Sequence, residues 1–455
     1  MTTSLLVQVS PGEAWSARVE GETLVDLAVR RSGTPRIGDV MLGRVVKLQP
    51  EVPAALVHIG LDRPAFLGGE HMRRGEPLAE GQSLVVQVIR DARAEKAVGV
   101  SARLRLAGPH IDLVPGGTIE PVGRGLDFGE RQRLGAEVAA FAAPGEGFRI
   151  RAEARGAAPN ALAREAEALR TRWRAIEAAR SRDDAPCRLE PEEPLIVSSL
   201  RTEGDPSPDR IVVDDRAAFA EARRWLTAHR PDLASRLALH ADPQPLFEHE
   251  GIDAAIEAAL APRVGIDGGG AITIETTAAA VTIDVDSGGA PALQANLAAA
   301  REIARQIRLR NLAGPIIIDF IAMKAGRARV SAALQQALAG DPAEPDLLGW
   351  TRLGHVELVR PRRAPSLEEL LFERDPDGGR VKTTLTVALE ALRALAREAA
   401  AMPARALRLK VAPEVAASLE DGAACAARRQ IEARLGRPIA LEREKGRPRA
   451  AFDIF

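Results

Sequence analysis

Residues 270–323 constrain the fold more tightly than any other stretch of this 455-residue chain. GAITIETTAAAVTIDVDSGG reads as two strands joined by a polar turn. LQANLAAAREIARQIRLRNLAG reads as a long amphipathic helix whose closing glycine suits a C-cap, and PIIIDFIAM as a short, apolar strand. With PLFEHEGIDAAIEAAL as a helix before this stretch and RVSAALQQALAG as a helix after it, the pattern from residue 245 onward is α/β. A chain of 455 residues exceeds what one hydrophobic core organises, so two to four folding units are expected.

The first hundred residues follow a different period. SLLVQVS, AWSARVE and TLVDLAV alternate apolar and polar residues between short polar turns, as half-buried strands do. DVMLGRVVKLQP, AALVHIGL, RPAFLGG, SLVVQVIRDAR and GVSARLRLAG then predict five short strands with glycine at the turns, which suits a small barrel of the OB type. From 109 to 195 the signal is mixed. IDLVPGGTIE is strand and turn, FGERQRLGAEVAAFAA and NALAREAEALRTRWRAIEAARSR are helices, and DDAPCRLEPEEP is a loop or linker. DRIVVDD predicts a strand and RAAFAEARRWLTAH a helix. RPRRAPSLEELLFERDPDGG, rich in proline and charge, reads as a linker, and the last eighty residues as a small α+β domain.

Composition removes several classes of function. Two cysteines, Cys187 and Cys425, make no disulfide framework and no CxxC pair to hold zinc. The seven histidines form no HxH or HExxH, and no Gly-x-Ser-x-Gly elbow occurs. GIDGGGAITIE places its glycines before a strand, whereas a phosphate-binding loop needs strand, glycines, then helix, so it reads as a turn. The N-terminus lacks the basic and apolar regions of a signal peptide and no run of 18 apolar residues occurs, so a cytoplasmic protein is expected. A net charge of -1 does not announce a nucleic-acid binder, although the basic residues are overwhelmingly arginine, which suits phosphate and base recognition.

Three aspartates carry the chemistry. Asp284 and Asp286 stand two apart in VTIDVDSGG and project from one face of their strand. Asp319 closes IIIDF. Apolar residues precede both Asp284 and Asp319, so each is expected at the end of a buried strand, where an unpaired carboxylate costs several kcal/mol and needs a partner. One such partner is a shared hard divalent cation. Magnesium is held by one or two carboxylates together with waters and substrate phosphates, and it can bring a water to a phosphodiester. Spacing alone leaves a second reading open, in which these aspartates cap helices or pair with Arg301, Arg305 or Arg308.

The run ITIETTAAAVTIDVDSGG, followed by NLAAAREIARQIRLRNLAGPIIIDFIAM, closely resembles the catalytic segment of the RNase E/G family. In that family an A-I-D-x-N-S/T strand precedes N-x-E-A-A-x-E-I-A-R-Q-x-R-L-R-x-L-x-G-x-I-x-I-D-F-I-D-M. DRIVVDD, PLFEHEGIDAAIEAAL, TRLGHVELVRPR and RPAFLGG resemble further family segments, so the likeness covers most of residues 1–365 and is strongest after 245. It implies a metal-dependent endoribonuclease that hydrolyses single-stranded RNA, in ribosomal-RNA precursor processing or messenger-RNA decay, leaving 5′-phosphate ends. The implied metal is magnesium, with manganese as the alternative, held by Asp284 and Asp319 with Asp286 as a further candidate ligand. The implied fold is α/β and multidomain. Residues 1–35 and 196–244 form an RNase H-like region, into which are inserted an OB-fold RNA-binding barrel at 36–105 and an α+β 5′-sensor-like region at 106–195. A DNase I-like catalytic domain at 245–362, a linker at 363–380 and a small α+β domain at 381–455 follow.

The resemblance also implies RNA contacts. Phe66 matches an aromatic that stacks on a base, Lys96 a basic residue beside the cut, Arg151 the arginine of a 5′-monophosphate pocket, and Arg352 an arginine near the active site. Read without the family, Phe66 is equally a barrel-core residue, and Lys96 and Arg352 are surface cations. Four positions depart from the pattern. Asp286 replaces an asparagine, Ala322 the acid of D-F-I-D-M, Leu56 a second stacking aromatic, and Ala152 a pocket threonine. The family's CPxC zinc link is absent, with RDPDGG in its region, so no zinc is expected and a homo-oligomer would form without it. These departures keep a rival expectation alive, an RNA-binding member of the same family with weak or no catalysis.

Overall fold

The alternation of the first thirty residues becomes an antiparallel meander. In a computed structural model of the chain, β1 (Thr3–Ser10), β2 (Glu13–Glu20) and β3 (Thr23–Arg31) pair in order, with Leu6 opposite Ala17 and Ala17 opposite Leu27 in one buried row. The structure describes every residue except 1, 50, 74, 93–95, 121–125, 182–184, 202–206, 376–377, 404 and 406. The chain divides into two compact units, residues 1–34 with 193–455, and residues 35–192.

Within residues 35–192, β4 (Val40–Gln49), β5 (Ala54–His58), β6 (Ala65–Gly68), β7 (Ser83–Arg90) and β8 (Gly99–Ser101) close a five-stranded barrel. Its order is β4-β5-β6-β8-β7, with β7 returning to β4. Val45, Val57, Ala65, Leu67, Val86, Val88 and Val100 fill its interior, every second residue of each strand, as a pleated wall requires. A three-stranded sheet of β9 (Leu106–Ala107), β10 (Ile111–Pro115) and β11 (Glu146–Ile150) packs on α1 (Phe128–Phe141) and α2 (Pro159–Arg180). Asp127 caps α1 by accepting the Glu130 amide, and α2 buries Leu162, Ala166, Leu169 and Ile176 along one stripe. In the segment expected to be a loop, β12 (Cys187–Arg188) instead adds a short strand beside β4. Two residues of pairing are too few to leave a period in the sequence.

The other unit resumes with α3 (Leu195–Arg201), β13 (Arg210–Val213), α4 (Arg216–His229) and β14 (Leu237–Leu239). β13 lies parallel to β1 and β14 parallel to β13, giving a sheet of order β14-β13-β1-β2-β3. The helix expected over PLFEHEGIDAAIEAAL is two, α5 (Leu246–His249) and α6 (Ile252–Leu260), broken at Gly251, whose φ of 70° a helix interior does not admit.

A six-stranded sheet follows. It consists of β15 (Arg263–Gly265), β16 (Ala271–Thr276), β17 (Val281–Asp286), β18 (Gly314–Asp319), β19 (Asp346–Trp350) and β20 (Val356–Arg360), ordered β15-β16-β17-β18-β20-β19. α7 (Ala292–Leu309) carries the chain from β17 to the parallel β18, and with α8 (Arg327–Leu338) it covers one face over Ile283, Val285, Ile303, Ile307, Ile316, Ile318, Val330 and Leu334. α7 ends before the glycine expected to cap it. Asn311 takes the left-handed turn at φ 50°, its amide bonds Arg308 O, and the Leu312 amide bonds Ile307 O, which is the two-bond closure of a Schellman turn. The Asn311 side chain also donates to the carbonyls of Ala364 and Pro365, a tie glycine could not make.

The segment expected to be a linker is folded. Ser366 and Glu369 form a reciprocal capping box on α9 (Leu367–Leu371), and β21 (Phe372–Arg374) pairs with β22 (Arg380–Lys382). The remainder consists of α10 (Thr384–Ala401), β23 (Arg408–Val411), α11 (Pro413–Glu420), α12 (Cys425–Leu435), β24 (Ala440–Arg443) and β25 (Asp453–Ile454), with β23 central in its sheet. Among the described residues no helix is long and apolar enough to cross a membrane.

Candidate active site

The face of the six-stranded sheet β15–β20 not covered by α7 and α8 carries a row of polar residues across its strands. Arg263 lies opposite Thr273, Thr273 opposite Asp284, and Asp284 opposite Asp319. Neighbouring strands stand about 4.8 Å apart, so the carboxylates of Asp284 and Asp319 project side by side from one face. They sit at the carboxyl ends of two parallel strands, where α/β sheets commonly bind ligands.

Both carboxylates are exposed, Asp319 with 61% of its side chain accessible, which corrects the expectation that they are buried. The reason is the strand period. In β17, Val281, Ile283 and Val285 point under the helices while Asp284 and Asp286 point away. In β18, Ile316 and Ile318 point inward and Asp319 outward. The apolar neighbours that suggested a buried carboxylate belong to the opposite face.

Asp284 makes no ion pair or side-chain hydrogen bond among the described residues, and neither aspartate pairs with Arg301, Arg305 or Arg308. Two adjacent carboxylates without a cation between them are a hard-oxygen donor set, and their chemistry fits a divalent ion that completes its shell with water. No three His, Cys, Asp or Glu residues gather to enclose a metal among the described residues. Magnesium, which keeps several waters, does not require such a cage.

Asp286 is engaged elsewhere. Its Oδ2 lies 2.7 Å from Arg263 Nη2, and its Oδ1 accepts the Gly288 amide at 3.1 Å. The Arg263 hydrogen bond, then that amide, hold its carboxyl below the usual aspartate range. It thus fixes the turn after β17. There Gly288, at φ 56°, packs so closely that an added Cβ would fall 2.1 Å from Gly269 O.

Two residues that the sequence reading passed over shape the site. Asn296 of α7 is fully buried. Its Nδ2 donates to Ile321 O at 2.9 Å and its Oδ1 accepts the Ile321 amide at 3.0 Å, clamping the segment that leaves Asp319. The available signal was an asparagine on the apolar face of α7, beside Ala299, Ala300 and Ile303. His355 precedes β20, and the register Ile318–Val356 brings it across from Asp319, with Nε2 3.7 Å from Asp319 Oδ1. Its signal was the alternation of HVELVR, which turns His355 and Glu357 to the open face. Arg352 is exposed in the same β19–β20 hairpin, beside the exposed Leu353.

In residues 35–192, Phe66 is half-buried on the outside of the barrel, opposite Leu56 on β5 and Gly99 on β8, while its neighbours Ala65 and Leu67 enter the core. Phe66 is therefore not a barrel-core residue. Lys96 is exposed, three positions before β8. Arg151 donates to Gly108 O at 3.1 Å and pairs with Glu153 at 3.1 Å, and that hydrogen bond holds the Glu153 carboxyl below its ordinary range.

A profile described as the Ribonuclease E/G family matches residues 106–363. Ribonuclease G of Escherichia coli (strain K12) is 31% identical over all of this chain and 99% of its own length, and Ribonuclease G of Haemophilus influenzae is 30% identical over 99% and 98%. Ribonuclease E of Nostoc sp. is 32% identical over 86% of this chain and 61% of its own length. The chain belongs to the Ribonuclease E/G family.

Proposed function

We propose that this protein is a cytoplasmic endoribonuclease that hydrolyses single-stranded RNA, in ribosomal-RNA precursor processing or messenger-RNA decay. The observation that carries this reading is the register pairing of Asp284 with Asp319, two adjacent exposed carboxylates on one face of a sheet. Asp284 and Asp319 hold magnesium, which when bound supplies a polarised water and stabilises charge on the scissile phosphate. Water oxygen bonds to phosphorus as the P–O3′ bond breaks, leaving a 5′-phosphate on one product and a 3′-hydroxyl on the other. Asn296 keeps the strand end at Asp319 in position, and Arg352 offers a cation to RNA phosphates. Asp286 orients the β17 turn through Arg263.

In this reading the barrel is an OB-fold that takes the RNA strand, with Phe66 stacking on a base and Lys96 meeting phosphate. The β9–β11 sheet and its helices are the 5′-sensor-like region, with Arg151 toward a terminal phosphate. The six-stranded sheet of the other unit is the DNase I-like region and its five-stranded sheet the RNase H-like region. Phe66→Ala is expected to weaken binding of a short single-stranded RNA by about 1–3 kcal/mol, the worth of one stacked base. Fluorescence anisotropy checks this, and unchanged affinity removes Phe66 from the RNA surface.

The test of the function is incubation with a 5′-monophosphorylated, A/U-rich single-stranded RNA, with magnesium and with chelator. Cuts that require magnesium and leave 5′-phosphate ends are expected. The second reading, an RNA binder without efficient cleavage, draws on Ala322, Leu56 and Ala152, each of which lacks a group present in the family pattern. Intact RNA with undiminished binding in both conditions would select it.

A further inference from the structure

We propose that Arg327 is a further RNA-binding residue, which takes a backbone phosphate beside the paired carboxylates of Asp284 and Asp319, and that Trp350 is the ring that positions it. The inference rests on the reading of RNA as substrate. It goes beyond that reading in naming a phosphate contact and the side chain that holds it ready.

Arg327 opens α8, on the chain that leaves Asp319. Its guanidinium lies over the Trp350 ring, with Cζ 4.8 Å from the centroid, well inside cation–π range. The ring is itself fixed. Its indole N–H donates to Ser331 Oγ at 2.8 Å, one turn further along α8. It also packs against Phe320, the residue after Asp319, with 5.8 Å between ring centroids.

The side chain has no anion of its own. Arg327 is exposed, and among the described residues it makes no ion pair or hydrogen bond. Other arginines of this sheet and its helices behave differently. Arg263 pairs with Asp286, Arg305 with Glu302 and Arg360 with Asp341. A guanidinium carries five N–H donors in a planar fork that matches a phosphate. Held against an indole, it loses less rotamer freedom on taking a phosphate than an untethered surface arginine does.

The turn between β19 and β20 sets its place. The Gly354 amide closes that turn by donating to Thr351 O at 3.2 Å. Gly354 runs at φ 98°, and a Cβ there would stand 3.4 Å from Arg327 Nη2. The next residue, His355, has Nε2 3.7 Å from Asp319 Oδ1. The cation therefore stands at the rim of the face that bears the two carboxylates. Those carboxylates repel an approaching phosphate, and a fixed cation at the rim offsets the repulsion.

The test measures RNA binding in chelator, without cleavage. A short, fluorescein-labelled, A/U-rich single-stranded RNA with a 5′-hydroxyl is mixed with the full chain over a range of salt concentrations, and anisotropy gives the affinity. Arg327→Gln is expected to weaken binding about three- to tenfold at about 0.1 M salt. It should also flatten the slope of log affinity against log salt by about 0.7, the loss of one phosphate contact on a single strand. Arg327→Lys keeps the charge, so it should keep the slope and lose only the part of the affinity that a planar fork supplies. Trp350→Leu should lower affinity toward that of Arg327→Gln, and Trp350→Phe, which keeps a ring, should restore most of it. Unchanged affinity and slope in Arg327→Gln would overturn the contact. Weaker binding with an unchanged slope would overturn it too, because a disturbed fold lowers affinity without removing a charge contact. Either result leaves the two-aspartate centre standing, since cleavage by Asp284→Asn tests that separately. A wild-type chain that binds no RNA would overturn the substrate reading and this contact together.

Discussion

Asp284→Asn and Asp319→Asn are each expected to lower magnesium-dependent RNA cleavage by about 10³-fold or more, roughly 4 kcal/mol of transition-state stabilisation, without unfolding the protein. Each substitution keeps the shape of the side chain and removes one of two negative charges that hold the ion. Because both residues are exposed on the uncovered face of the sheet, neither contributes to the core beneath it. Their carboxylates also repel each other when no cation lies between them, so in chelator the variants should be as stable as the wild type or slightly more so. A structural ion pair would behave in the opposite way, losing stability with either partner. Single-turnover cleavage of end-labelled RNA, with thermal melting in chelator, reads both quantities. Cleavage at the wild-type rate in either variant would reject the assignment, and a large loss of stability would show that the carboxylate is structural.

Much of this centre was legible in the sequence because it depends on periods. VTIDVDSGG and IIIDF announced strands ending in aspartate, and the long amphipathic helix between them announced the parallel crossover that aligns Asp284 with Asp319. The face was misread. Apolar residues flanking an aspartate mark a buried strand, but a strand covered on one side still turns alternate residues to solvent, and the uncovered side has no signature in local sequence. His355 escaped for a related reason. Its partner lies 36 positions earlier on another strand, and only the antiparallel register joins them. Asn296 was visible as a polar residue on an apolar helix face, yet what it clamps is fixed by tertiary packing. The linker expectation failed at Ser366. Proline and charge nearby masked an S-x-x-E capping box that was present in the letters. Gly251 shows the reverse, a helix-breaking residue overridden in the reading by the apolar pattern on either side.

Glu13→Ala is expected to destabilise the unit formed by residues 1–34 and 193–455 by about 3–5 kcal/mol, the cost of leaving a buried charge without its partner. Glu13 has 1% of its side chain accessible and Arg31 6%, and Glu13 Oε2 meets Arg31 Nε at 2.8 Å. Glu13 Oε1 accepts the Trp15 indole N–H at 2.7 Å and also pairs with Arg393 of α10. Arg31 is itself spent on Leu370 O at 2.7 Å and Thr386 Oγ1 at 2.9 Å, so it cannot turn to water without breaking the contacts that join β3 to α9 and α10. Alanine would strand Arg31, release Arg393 and leave an indole N–H unpaired. Glu13→Gln keeps an acceptor for Trp15 and loses only the charge, so its cost should be smaller, about 1.5–3 kcal/mol. Denaturant unfolding followed by tryptophan fluorescence measures both. The order alanine, then glutamine, then wild type in rising stability is expected. An alanine variant within about 1 kcal/mol of the wild type would mean that solvent reaches Arg31, and that the N-terminal meander and α10 are held together by apolar packing alone.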